Sequence, residues 1–253
     1  MVGRKVIFAC RGMGRSMMLL AEAVCFIPHL ATARARRETV SQMYIGGIMS
    51  VPVITLVALF TGMILAMQTG IELRRFGQEE YIGSAVMMSM LREMGPFMSG
   101  IILAASVGAA VAAQIGTMAV SEEIAALEVM SISPIRFLVL PRLVAMAVMT
   151  PLLSLYGCLM GVLGGAIVGK TQLGVTWPTY IENATSFIEV KDIYVGILKA
   201  FVFGVTIVVV ACHEGFETTN GAVGVGMSTR RAVVVSFLAI LIMGFFITKI
   251  FYV

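Results

Sequence analysis

The segment Val40–Ile71 reads VSQMYIGGIMSVPVITLVALFTGMILAMQTGI, and it contains no charged side chain. A helix of about 20 predominantly apolar residues is long enough to cross the hydrocarbon core of a bilayer. An uncharged segment of this length predicts a membrane-spanning helix, which we place over residues 43–71. This segment decides the class of fold, because a water-soluble domain would have to bury such a helix on all sides.

The composition of the whole chain supports the same class. Of 253 residues, 59% are hydrophobic and only 13% are charged, and the mean hydropathy is +0.98. A soluble domain carries about 25% charged residues, so this chain lacks the polar surface that a water-soluble enzyme needs. The net charge of +4 is small and does not indicate a nucleic-acid partner. We therefore predict one integral membrane domain over residues 1–253.

Four further segments are long and apolar enough to cross a membrane. Five spans are an odd number, so they place the two termini on opposite sides. The segments between the spans that lie on the same side of the membrane as the N-terminus, together with the N-terminal segment, carry more Lys and Arg than those on the other side. This excess predicts a cytoplasmic N-terminus. The fold class is thus an all-α integral membrane protein with five transmembrane helices. The four further spans are predicted over residues 87–116, 136–169, 193–213 and 230–253.

Before the first span, residues 17–37 combine a short apolar stretch with a basic arm. The stretch Met17–Leu30 is too short to cross a bilayer, and Arg34, Arg36 and Arg37 follow it. This pattern is typical of a helix that lies in the membrane interface with its Arg side chains at the lipid headgroups. An ordinary cytoplasmic helix is the alternative.

The sequence shows no constellation for catalysis or metal binding. The four cysteines share no metal-ligand spacing, and the two histidines lie far apart in the sequence. The segment Gly164–Thr171 matches the phosphate-binding pattern G-x-x-x-x-G-K-[ST], but it follows a predicted span instead of a short strand. We therefore predict no catalytic residue, no metal site and no nucleotide site, which leaves the chain without an energy source of its own.

Small residues recur at every fourth position in three of the spans, the second, third and fourth, which places them on one face of each helix. Such faces let two helix backbones approach closely. The packing partner is either another helix of the same chain or a second copy of the chain. The predicted helix-packing residues are Gly108 and Gly116 in the second span and Gly157, Gly161 and Gly165 in the third.

The segment between the second and third spans predicts a short amphipathic helix over residues 118–131. Ser121 is a suitable N-cap, and Glu122 and Glu123 would lie in the first turn, where the helix dipole favours negative charge. Pro134 is expected to end the helix. Two interpretations remain open, a solvated connector and a helix that docks into a partner protein.

Three ionisable side chains near the ends of spans are candidates for function. Lys199 lies inside the fourth span. Its ammonium group could extend to the interface, attract a lipid phosphate, or pair with an acidic group such as Glu93. Arg92 and Glu93 are expected to form a local surface pair at the start of the second span.

Several separate blocks of sequence resemble the MlaE/YrbE family, whose members are the permease subunits of lipid-transporting ABC systems associated with MCE proteins. The blocks occur in the family's order, and the resemblance covers nearly the whole chain. They are Leu91–Pro96 (LREMGP), Ala112–Met118 (AAQIGTM), Glu123–Met130 (EIAALEVM), Pro134–Arg136, Pro141–Arg142 and Gly221–Gly226 (GAVGVG).

The resemblance implies a larger assembly. Members of the family have an N-terminal interfacial helix and five spans, form dimers, bind two cytoplasmic ATPase subunits through the helix after the second span, and pair with an MCE-domain protein on the far side. ATP and Mg²⁺ would then bind in the partner ATPase, and this chain would need no cofactor. The second permease copy would be identical or a paralogue. The residues that the resemblance assigns to the ATPase contact are Glu122, Glu123, Ile124, Leu127, Glu128 and Met130.

Two positions depart from the family pattern. Gln114 stands where the family usually has glutamate, and Ser106 stands where it usually has arginine. The two positions are separated by just over two helical turns, so they share a helix face. Because one charge of each sign is missing, we expect a neutral, hydrogen-bonding site or a divergent paralogue. The lipid-pathway candidates are Arg92, Glu93, Ser106, Gln114 and Lys199.

The sequence thus predicts the permease subunit of an ABC transporter that moves phospholipid or a related lipid between membranes. A bacterial inner membrane is the expected location, with the C-terminus on the far side. The competing interpretation is an ion-coupled secondary transporter of a hydrophobic substrate, which would need paired acids or broken helices near the midplane. A membrane-embedded enzyme acting on lipid is a third class, and it would need a catalytic constellation.

Overall fold

The structure, a computed structural model, describes residues 2–28 and 32–252, and within the first helix it describes side chains at residue 12 and from residue 14 onward. This part of the chain is helical and contains no strand, which confirms the all-α class. Five of its helical segments are long and apolar enough to cross a membrane. Their bounds are Ala33–Arg75, Glu79–Val120, Ile135–Gln172, Val190–Phe216 and Gly221–Tyr252.

The spanning segments are built from several α-helices, and three π-helical turns lie in the second and third segments. The π-helical turns are Met90–Met94, Ala104–Gly108 and Ile135–Val139. The α-helices are α1 (Val2–Cys25), α2 (Ala33–Gly46), α3 (Val51–Arg75), α4 (Ile82–Ser89), α5 (Gly95–Leu103), α6 (Ala109–Val120), α7 (Glu123–Val129), α8 (Leu140–Gln172), α9 (Trp177–Ser186), α10 (Val190–Phe216) and α11 (Gly221–Tyr252).

The region before the first span is divided differently from the prediction. The predicted short helix Met17–Leu30 is the last part of the longer α1, which begins at Val2 and ends at Cys25, and Leu30 lies outside the described residues. The basic arm lies in α2, which begins at Ala33. Pro28 lies between the two helices and has no N–H to donate to a helical carbonyl. A second break follows at Gly47, so α3 begins at Val51 and not at residue 43.

The chain divides into two compact units, each built from three stretches. The first unit contains the described residues up to Met49 together with Leu103–Met149 and Gly204–Ile240. The second unit contains Ser50–Ile102, Thr150–Phe203 and the described residues from Leu241 onward. Each unit has its own buried apolar side chains.

In the second unit, glycines of α8 let neighbouring groups approach its backbone. A Cβ on Gly62 of α3 would overlap the carbonyl of Gly161, so these two helices lie backbone to backbone. Gly165 leaves room for the phenol of Tyr180, whose hydroxyl donates to the carbonyl of Val162 at 3.3 Å. Burial raises the pKa of the Tyr180 phenol, so this hydroxyl keeps its proton. These packing partners belong to the same chain.

In the first unit, the glycines of the second span also have neighbours in the same chain. A Cβ on Gly108 would lie 3.0 Å from the side chain of Ile207, and one on Gly116 would lie 2.9 Å from the hydroxyl oxygen of Thr218. The Thr218 hydroxyl donates to the buried Ser228 hydroxyl at 2.7 Å. Small residues of the second span therefore leave room for Ile207 of α10 and for Thr218 in the connection between α10 and α11.

The connection between the second and third spans contains a shorter helix than predicted. Ser121 is not the N-cap of α7, because its hydroxyl donates back to the carbonyl of Thr117 at 3.0 Å and α6 continues to Val120. Glu122 adopts a left-handed conformation with φ of 60°, so it precedes α7 and does not lie in its first turn. Pro134 does not end α7 either. The helix ends at Val129, and Pro134 stands at the start of the next helical segment.

Candidate functional site

The strongest candidate site begins at the π-helical turn Met90–Met94, which carries Arg92 and Glu93. Turns of this type are rare and frequently occur at functional sites. Pro96 has no N–H, so it cannot donate to the carbonyl of Arg92 four residues earlier. The sequence thereby removes the α-helical donor to this carbonyl.

Lys199 of α10 donates a hydrogen bond to this carbonyl of Arg92. Its Nζ donates to the Arg92 carbonyl at 2.7 Å, to Glu93 Oε1 at 2.6 Å and to Thr248 Oγ1 at 2.7 Å. An ammonium group has three donors, and all three have partners here. The side chain of Lys199 is only 1% exposed. The interpretation that it extends to the interface is therefore wrong, and the pairing with Glu93 is the alternative that the structure contains.

Arg92 pairs with Asp192, the only aspartate in the sequence. Nε of Arg92 donates to Oδ1 at 2.7 Å and its NH2 donates to Oδ2 at 3.1 Å, which is the two-pronged geometry that guanidinium favours with carboxylates. The Tyr252 hydroxyl donates to the same Oδ1 at 2.8 Å. The predicted local pair of Arg92 with Glu93 is therefore wrong, since each of the two side chains has a different partner.

An aromatic ring covers the guanidinium group. The Cζ of Arg92 lies 4.8 Å from the centre of the Tyr252 ring, and Nζ of Lys191 lies 5.1 Å from the same centre. Cations attract the electron-rich face of an aromatic ring at such distances. The end of α11, the start of α10 and the π-helical turn are thus joined by charged and aromatic contacts.

Burial divides the four charges of this network into two kinds. Asp192 and Lys199 have side chains that are 1% exposed, whereas those of Arg92 and Glu93 are 32% and 43% exposed. The formal charges of the four groups sum to zero. Each of the two buried charges therefore holds one partly exposed charge of opposite sign, on two residues that are adjacent in the sequence.

Asp192 was missed in the sequence analysis, although one signal pointed to it. It is a single acidic residue in the first turn of α10, directly before an apolar span, where a carboxylate is costly unless it has a partner. Its Oδ2 also accepts the backbone N–H of Glu189 at 3.4 Å. The position of Arg92, a hundred residues earlier, could not be paired with it from the sequence.

The structure does not bring Ser106 and Gln114 into this network. Both residues belong to the first unit, where both are exposed on the surface of the second span. The Oε1 of Gln114 accepts from the NH2 of Arg142 at 3.1 Å. Gln114 therefore takes part in a hydrogen bond, as expected, but the donor is a cation, Arg142. Arg142 was not among the predicted site residues.

The residues assigned to ATPase contact lie on or beside α7. Their exposure is uneven, since Ile124 and Leu127 are half-buried while the acidic side chains are exposed. The exposed members are Glu122, Glu123, Glu128 and Met130. Val129, which was not predicted, is 86% exposed at the end of the helix.

Comparison with known proteins gives one consistent result. The model of the family described as Permease MlaE matches residues 39–250. A probable ABC transporter permease protein of Rickettsia prowazekii is 38% identical over 213 residues, which cover 84% of this chain and 82% of that protein.

Two further relatives come from distant organisms. The intermembrane phospholipid transport system permease protein MlaE of Haemophilus influenzae is 32% identical over 254 residues, which cover 99% of this chain and 96% of that protein. The chloroplastic protein TRIGALACTOSYLDIACYLGLYCEROL 1 of Arabidopsis thaliana is 34% identical over 216 residues, which cover 85% of this chain and 62% of that protein.

Proposed function

The chain belongs to the MlaE permease family, and on this premise we propose that it is the membrane-spanning subunit of an ABC transporter that moves phospholipid between membranes. The names of two relatives support this proposal. One relative is described as a probable ABC transporter permease, which supports the type of transporter, and the other as the permease of an intermembrane phospholipid transport system, which supports the substrate. The chain would bind the lipid and provide its path. ATP hydrolysis, with ATP and Mg²⁺, would belong to a separate subunit.

The observation that carries the proposal is the neighbouring pair of partly exposed charges, Arg92 and Glu93. A zwitterionic phospholipid headgroup presents a phosphate and an ammonium group. Guanidinium matches phosphate geometry, and a carboxylate forms charge-assisted hydrogen bonds with an ammonium group. Asp192 and Lys199 hold the two side chains from the buried side, which supports a fixed cation and a fixed anion as the contacts for such a headgroup.

We propose that α7 docks into the ATPase subunit. Val129 and Met130 are 86% and 61% exposed at the end of this helix, and exposed apolar groups beside the carboxylates of Glu123 and Glu128 suit a protein partner better than water. An MCE-domain protein and a second permease copy, identical or paralogous, complete the proposed assembly. When the partner ATPase closes on ATP, it would move α7, and this movement would change the path of the lipid through the permease.

The proposed location is a bacterial inner membrane with the N-terminus in the cytoplasm. The order of the five spans then places α7 on the cytoplasmic side, where an ATPase would find ATP. The start of α10 and the end of α11 would lie toward the far side, and Arg92 and Glu93 with them. Such an arrangement puts the headgroup contact where lipid is exchanged with a partner outside the membrane.

The test is ATP-driven transfer of a fluorescent phospholipid from liposomes that contain the full complex to acceptor liposomes. We expect Glu93→Gln to lower the transfer rate by about tenfold or more, because a hydrogen bond to a charged group contributes ~1.5–3 kcal/mol. Glu182→Gln removes an exposed carboxylate of α9 and serves as the matched control. The amount of co-purified ATPase should be equal in both variants.

Two results would overturn these proposals separately. If the rate of phospholipid transfer does not depend on ATP but depends on a proton or sodium gradient, an ion-coupled transporter would be favoured. Transfer that needs ATP but is equal in wild type and Glu93→Gln would leave the ABC permease in place and remove the headgroup site.

A further inference from the structure

Arg142 near the start of α8 is a buried cation with neutral partners. The residue is 8% exposed. Its NH1 donates to the carbonyl of Leu138 at 3.2 Å, and its NH2 donates to Oε1 of Gln114 at 3.1 Å. Its Nε is buried and has no hydrogen-bond partner. Among the described residues, no carboxylate forms an ion pair with it.

Such an arrangement is costly unless an anion completes it. A buried charge normally has a partner of opposite sign, and guanidinium offers five N–H donors, of which two are used here. Gln114 does not neutralise the charge of Arg142, because the amide group that accepts its hydrogen bond is itself uncharged. Its amide nitrogen remains available as a second donor beside the guanidinium group.

Arg142 also lines two cavities of the first unit. The larger is a depression that is wide open to the surface; it has a volume of about 450 Å³ and is lined by Ala113, Gln114, Thr117, Met118 and Arg142. Ligand sites commonly have volumes of about 300–1,000 Å³. The smaller has a volume of about 130 Å³, and it is the one that contains a carboxylate, that of Glu38. The larger cavity combines two polar donors with apolar walls and no acid.

We propose that Arg142 and Gln114 form a binding site for a phosphate group in the larger cavity. The guanidinium fork matches the oxygen atoms of a phosphate monoester or diester, and the Gln114 amide donates to a further oxygen. The phosphate comes either from the headgroup of a membrane phospholipid or from free phosphate in solution. The site shares no residue with the network of Arg92 and Glu93, and the proposal does not depend on whether the chain transports lipid.

The variant that tests the phosphate site most directly is Gln114→Glu. A carboxylate at this position would lie within reach of the Arg142 guanidinium, since the present amide oxygen is 3.1 Å away. The variant supplies an internal anion, so the bound phosphate should be displaced while the fold is retained. Gln172→Glu adds the same charge at an exposed position at the other end of α8 and is the matched control.

Binding is measured on the purified full chain in detergent without ATP. Native mass spectrometry follows phosphatidylglycerol against diacylglycerol, which lacks the phosphate, and calorimetry follows inorganic phosphate. We expect wild type and Gln172→Glu to retain one more phosphatidylglycerol than diacylglycerol, and Gln114→Glu to bind it about tenfold more weakly. Gln114→Glu should also raise the melting temperature, because Arg142 gains a charged partner.

The lipid measurement and the inorganic phosphate measurement together distinguish the two sources of phosphate. If Gln114→Glu weakens phosphatidylglycerol binding and inorganic phosphate does not bind, the ligand is a lipid headgroup. If inorganic phosphate binds to wild type but not to Gln114→Glu, and the lipid is unaffected, the ligand is free phosphate. If Gln114→Glu changes neither affinity, the proposal is wrong, whatever the transport assay shows.

Discussion

Lys199 donates to the backbone carbonyl of Arg92 at 2.7 Å, and this is the carbonyl that Pro96 leaves without its usual helical donor. The contact joins a buried cation of α10 to the backbone of the π-helical turn. The neighbouring carboxylate of Glu93 accepts from the same ammonium group at 2.6 Å. One side chain therefore fixes both the path of the turn and the orientation of an exposed carboxylate.

Replacing Lys199 by methionine should lower both stability and transport. The variant keeps the length of the side chain but removes the three hydrogen bonds of the Lys199 ammonium group, and leaving buried polar groups unpaired costs about 1–3 kcal/mol. The melting temperature of the detergent-purified chain and the transfer of fluorescent phospholipid measure the two effects. Lys249→Met, at an exposed position of α11, is the control and should change neither. Equal melting temperatures for the two variants would contradict the structural role of Lys199.

The ion pair of Arg92 and Asp192 should respond unequally to the loss of either partner. Arg92→Gln leaves a buried carboxylate without its cation, which costs about 3 kcal/mol. Asp192→Asn leaves a guanidinium that is 32% exposed, so water can replace the lost partner and the cost is smaller. Chemical denaturation of the single and double variants gives the coupling free energy, expected at about 1–3 kcal/mol.

The control for this cycle is an exposed ion pair. Arg75 donates to Glu72 at 3.2 Å, with both side chains more than half exposed. Arg75→Gln should change the free energy of unfolding by about 0.5 kcal/mol or less. A coupling free energy near zero between Arg92 and Asp192 would show that burial does not strengthen their pair.

The sequence predicted the fold because the signal for a span is local. Val40–Ile71 is uncharged over its whole length, and no distant residue is needed to identify it as a membrane helix. The same argument found the other four spans. The predicted ends of the helices were wrong where a single residue can take part in either of two local structures. Ser121 could cap a following helix, but its hydroxyl bonds to the carbonyl of Thr117.

The candidate site was predicted only in part, because its contacts join residues far apart in the sequence. Arg92 and Glu93 were identified from a motif, and Lys199 from its charge inside a span. Their true partners depend on how α10 and α11 pack beside the π-helical turn, which no spacing rule gives. Arg142 was identified as part of the block Pro141–Arg142, and nothing in its local sequence showed that it is 8% exposed.

The backbone contact of α3 with α8 should not tolerate a methyl group. Gly62→Ala places a Cβ where the carbonyl of Gly161 lies, so the two helices must separate, and overpacking of this kind costs about 1–3 kcal/mol. Gly226→Ala is the matched control in α11, since nothing lies within 4 Å of its Cβ position. The control should be neutral or slightly stabilising, because alanine favours a helix by up to about 1 kcal/mol. Similar melting temperatures for both variants would contradict the close approach.

The end of α7 should decide whether the ATPase binds. Val129 is 86% exposed, so Val129→Arg does not disturb the core of the chain, but it places a charge where an apolar contact with a partner is proposed. Val190→Arg makes the same change at a position that is 85% exposed at the start of α10. We expect Val129→Arg to reduce the co-purified ATPase at least about tenfold, as loss of a buried interface contact does, while Val190→Arg retains it. Quantitative pull-down from mild detergent measures both. If both variants retain the ATPase fully, the partner does not contact this end of α7.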